Sequence, residues 1–127
     1  MTARILAGLV GLLMGVTALG WLTDPASAAQ GLGMPLLDGI GRSTQIGDFS
    51  AFFIGITIFC VLGIVKQQST WLISAAIILG LAAIMRTLAW AVHGAAFATV
   101  PITVEIVTTA LLIVSAILMN KAANSDG

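Results

Sequence analysis

The chain has 127 residues, of which 59% are hydrophobic and only 8% charged. Ordinary soluble domains carry about 25% charged residues, and here the charges are missing from whole stretches, which points to an exterior that faces lipid. Five basic and five acidic residues cancel, so there is no basic footprint for nucleic acid.

Crossing an apolar layer of roughly 30 Å takes about 17–25 helical residues. Four stretches qualify, at 5–22, 49–65, 71–92 and 102–119. None alternates polar and apolar residues as a barrel strand would, so an all-α, four-helix transmembrane bundle is expected, forming a single membrane domain over residues 1–127. The first stretch has a competitor reading. Arg4, an apolar run and Ala26-Ser27-Ala28 resemble a signal peptide with its cleavage site. A signal core is about 7–15 residues, whereas this run is longer and ends in Trp21, so a retained helix is expected. Ala7, Gly11 and Gly15 recur at four-residue spacing along it. Small residues so placed let helices approach closely, either inside the bundle or in a homo-oligomer.

A long outer loop is expected over 23–48; its Leu32, Met34, Leu36, Leu37 and Ile40 suit a short helix lying on the membrane surface. Asp48 would then cap the second span, with Arg42 and Gln45 just before it. Cys60 reads as a small apolar residue. Lys66 to Thr70 is a tight polar turn, and a short link around His93 leads to Pro101, which can open the last span. The tail from Lys121 onward is polar and expected to fray. Arg4, Lys66 and Lys121 fall on one side of such a bundle, while the other has only Arg42 with Asp24, Asp38 and Asp48. Both termini are therefore expected to be cytoplasmic.

Two ionisable residues lie inside apolar stretches, Arg86 in the third span and Glu105 in the fourth. Each would cost about 2.5–3.5 kcal/mol at the centre of a lone helix, so such groups pair or line a cavity. Counting at 1.5 Å per residue puts both roughly 6–9 Å below the outer face. The short link makes their helices antiparallel neighbours, so an Arg86–Glu105 pair is expected. Trp90 and His93 follow Arg86 at i+4 and i+7 on the same helix face. The cytoplasmic half is almost wholly aliphatic, which suggests a polar pocket open to the outer side above an apolar plug.

The order of features resembles a family of small four-helix bacterial membrane proteins known as a domain of unknown function. The residues that carry the resemblance are the Gly-rich first helix with Trp21, the Pro25 region and the stretch from Gly41 to Gly55. After these come Arg86, His93-Gly94, and Pro101 followed by Glu105. The family more usually has an Arg-Ala then Gly-Gly pattern leading into the second span, where this chain has Gly47-Asp48-Phe49-Ser50-Ala51, so Arg42 lacks a matched counterpart. A looser likeness to DoxX-type small membrane subunits rests on the four helices. The resemblance implies a bacterial inner-membrane protein and supplies no reaction.

The residues favour a non-enzymatic protein that binds a hydrophobic or amphipathic ligand, or a partner subunit, through Arg86, Glu105, Asp48, His93, Trp90 and Arg42. An isomerase-like membrane enzyme using Glu105 and His93 is the alternative, as is a small transporter component. No metal-ligand cluster, nucleotide loop or nucleophile motif appears, so no cofactor is expected.

Overall fold

Helices satisfy their backbone hydrogen bonds internally, which lipid demands, and the computed structural model, describing residues 1–127, contains no strand. Five helices follow in order: α1 (Thr2–Thr23), α2 (Pro25–Gly31), α3 (Gly39–Lys66), α4 (Ser69–His93) and α5 (Thr99–Ser125). All but α2 are long and apolar enough to cross a membrane, and the chain is an integral multi-pass membrane protein. The long helices form a ring in which α1 packs on α3 and α5, and α4 packs on α5 and α3. Four traverses bring both termini to one end of the bundle; the α1–α3 connection and the α4–α5 link lie at the other, here called the loop end.

The interior is filled by Val10, Met14, Ile56, Cys60, Leu72, Leu79 and Leu112. Outward-facing Leu12, Val16, Ile58, Ile77, Ile84 and Ile106 are exposed. A soluble chain could not leave so continuous an apolar exterior in water; against acyl chains it costs nothing. Close approach is bought by small residues. Ala7 and Gly11 are buried, and a Cβ at Gly11 would stand 3.1 Å from that of Cys60 on α3. The expected small-residue stripe of α1 thus lies against α3 within one chain. Gly63 meets Leu72 at the α3–α4 turn, where Gln67 takes a left-handed conformation (φ 53°). Two hydroxyls also tie spans to α1: Ser115 Oγ donates to the Ala3 carbonyl at 2.6 Å, and Thr57 Oγ1 to that of Gly11 at 3.3 Å.

Several boundaries differ from the sequence reading. The helix that carries the second span begins at Gly39, ten residues before the apolar stretch at 49. Hydropathy marks where a helix enters lipid, and no proline interrupts the polar turns ahead of that point, so α3 simply starts earlier. Asp48 is therefore exposed inside α3 and does not cap it; Asp38 holds that position. The short helix in the α1–α3 connection is α2, not the segment containing Leu32 to Leu37. Asp24 starts it by accepting from the Ser27 backbone N–H at 3.3 Å, with Pro25 in the first turn, where a missing N–H is harmless. Residues 32–38 stay non-helical and are pinned by Gln45: its Oε1 accepts from Leu37 N at 2.7 Å and its Nε2 donates to the Pro35 carbonyl at 3.0 Å. The last helix continues to Ser125, so most of the tail expected to fray is helical. Its Lys121, Ala122 and Ala123 are good helix formers.

Candidate functional site

The buried stripe of α4 is Leu72, Ala75, Ala76, Leu79 and Ala83. Continuing at helical spacing, the same face next presents Arg86, Trp90 and His93. Its cover ends there. The Arg86 side chain is 30% exposed, Trp90 is half exposed, and His93, the last residue of α4, is exposed. Trp90 meets the Phe97 ring of the α4–α5 link edge-on, with centroids 5.3 Å apart. The interior face of α4 therefore emerges uncovered toward the loop end.

Across from it, Glu105 occupies the buried face of α5 with Ile102, Thr108 and Leu112. Arg86 Nε donates to Glu105 Oε1 at 2.8 Å. The two sit at matching depths, roughly 10 Å from the end of α4 and roughly 9 Å from the start of α5 at 1.5 Å per residue. The expected pair is formed.

Neither partner is saturated. A guanidinium carries five donors, and Arg86 uses only Nε; its two terminal nitrogens donate to no protein group. Glu105 Oε2 is fully buried and has no hydrogen-bond partner. The nearby hydroxyls are spent on carbonyls: Thr108 Oγ1 on Val104 and Glu105, Thr109 Oγ1 on Glu105, and Thr87 Oγ1 on Ala83. Leaving a buried acceptor unmatched costs about 1–3 kcal/mol, more for a charged group, so the arrangement is primed for a further donor.

The remaining candidates lie elsewhere or stand alone. Arg42 Nη2 pairs with Asp38 at 2.8 Å and its Nε donates to the Leu37 carbonyl at 2.8 Å, closing the start of α3 on the preceding loop. Asp48 and His93 are exposed and make no side-chain hydrogen bond or ion pair. No three His, Cys, Asp or Glu side chains gather closely enough to hold a metal ion. Two groups, one buried and one exposed, escaped the sequence reading of the site. Ser50 keeps an unpartnered hydroxyl, and Phe97 packs on Trp90. A serine in a helix and a phenylalanine in a link give no advance sign of either.

A groove of about 650 Å³ runs between α4 and α5 past Gly80, Ala83, Thr87, Ile106, Thr109 and Ile113. It holds no charged side chain. Both threonine hydroxyls already donate to carbonyls, so its lining is almost wholly apolar and its chemistry is close to that of the surrounding lipid. The polar opportunity lies at Arg86 and Glu105. No family model matches the chain, and no curated protein or solved structure matches it either.

Proposed function

We propose that this is a non-enzymatic membrane protein of the bacterial inner membrane, with both termini cytoplasmic, that binds a phosphate-headed amphipath at Arg86. One observation carries the reading: the two terminal nitrogens of Arg86 have no protein acceptor and stand where the interior face of α4 comes uncovered. An arginine inside an apolar layer is costly unless paired or put to use. Glu105 takes the Nε side and fixes the orientation of the plane. The fork left over matches two oxygens of a phosphate in bidentate fashion. Trp90 and Phe97 beside it offer an apolar wall with a polar edge, suited to the head-group level of a lipid.

The test compares the parent with Arg86→Gln in nanodiscs, reading by native mass spectrometry the retention of phosphatidylethanolamine against diacylglycerol of the same chains. The parent should retain the phospholipid at least about tenfold better, as one charge-assisted contact implies, and the variant should lose that margin. Equal retention by folded parent and variant would remove Arg86 from any binding role. Competition by tail-less glycerophosphoethanolamine at equal concentration would assign the site to a soluble phosphate compound instead.

A further inference from the structure

The unmatched oxygen of Glu105 bears on the head group's second half. Resting on the proposal that Arg86 takes a phosphate, we infer that Glu105 Oε2 takes an N–H donor from the same molecule, so the site selects a zwitterionic ammonium phosphate head. The Glu105 residue is 6% exposed, and Oε2 is one of only two buried side-chain oxygens or nitrogens in the chain without a partner. A carboxylate oxygen needs a donor, and the nearby threonine hydroxyls that could have supplied one donate to helix carbonyls instead.

Charge points the same way. Arg86 and Glu105 cancel, so a phosphate arriving alone would leave one net negative charge in an apolar layer. An ammonium three bonds beyond the phosphate ester oxygen restores neutrality and meets the carboxylate. The order of charges then alternates from Glu105 to Arg86, to phosphate, to ammonium and back to Glu105. Reaching Oε2 requires something to move. Arg86 is the obvious mover, because a long side chain with four torsions, held by a single contact and partly open, shifts at small cost.

The N-methylated phosphatidylethanolamines separate a hydrogen bond from mere charge. All carry the same ammonium charge, but dimethylphosphatidylethanolamine keeps one N–H and phosphatidylcholine has none. With the parent protein in nanodiscs, retention measured by native mass spectrometry should change little down to the dimethyl lipid. It should then fall about tenfold at the last methyl, the loss of one hydrogen bond to a charged group. Glu105→Gln keeps an oxygen for Arg86 Nε and replaces Oε2 with a donor, so the step should vanish in that variant. Equal retention of the dimethyl and trimethyl lipids, or a step that persists in Glu105→Gln, would overturn the inference while leaving phosphate binding intact. Should no phospholipid be retained above diacylglycerol, the phosphate site itself falls.

Discussion

Arg86 and Glu105, nineteen residues apart in sequence, meet at 2.8 Å through a single nitrogen and a single oxygen. Their burial is unequal. The Glu105 side chain is 8% exposed and that of Arg86 30%, and the asymmetry governs how each behaves when the other is removed.

Arg86→Leu strands a carboxylate in the interior, whereas Glu105→Leu strands a guanidinium that can snorkel toward the opening. The first should cost about 3–5 kcal/mol, the usual penalty for breaking a buried pair, and the second clearly less. The double variant Arg86→Leu, Glu105→Leu should regain most of the loss. Unfolding in mixed micelles by SDS titration measures all three; equal single costs that add in the double variant would contradict this account.

A Cβ on Gly63 would lie 2.8 Å from Cγ of Leu72, a side chain with no exposure of its own. Gly63→Ala should therefore destabilise by about 1–3 kcal/mol, the range for overpacking a filled interior. Adding Leu72→Ala should make the Gly63 change milder than it is alone. The same micelle titration reads both variants, and a neutral Gly63→Ala would show that the turn yields freely.

Asp24 sits outside the membrane at the start of α2, where the Ser27 side chain and then its backbone N–H hold the Asp24 carboxyl below its ordinary value. With the folded value below the unfolded one, the cap is at full strength above the unfolded value. It is lost as pH falls through the folded one. Protection of the Ser27 amide, followed by hydrogen exchange in micelles, should drop over that acidic window and already be low at neutral pH in Asp24→Ala. Unchanged protection in that variant would mean the cap contributes nothing.

Orientation yields a simple experiment because Cys60 is the sole cysteine and is buried. In a Cys60→Ala background, Asp38→Cys should react with an impermeant maleimide on intact cells. Asp126→Cys should react only after permeabilisation. The reverse pattern would invert the topology drawn from Arg4, Lys66 and Lys121.

The parts of the fold that were legible in advance follow from lipid. The four spans announce themselves because an apolar layer imposes length and composition, and the Arg86–Glu105 meeting followed from rise per residue and a short link. What lay beyond the apolar layer was harder to see. At Gly39 to Asp48 the chain stays helical without being hydrophobic, and hydropathy carries no signal for a helix already in water. Gln45 is another case: its role in holding Pro35 and Leu37 depends on a loop conformation that its neighbours in sequence do not encode. The unmatched Glu105 oxygen is likewise a fact of three dimensions, since it depends on the threonines one turn away choosing carbonyls over the carboxylate.

From Glu105 to Ser125 the last helix runs on without a glycine or proline, a rod of roughly 30 Å at 1.5 Å per residue. A helical fusion joined in register after Ser125 would inherit both the direction and the rotation of that rod. A chain this small, otherwise lost within its micelle in electron micrographs, would thereby gain a rigid fiducial whose orientation reports on the carboxylate end of the site.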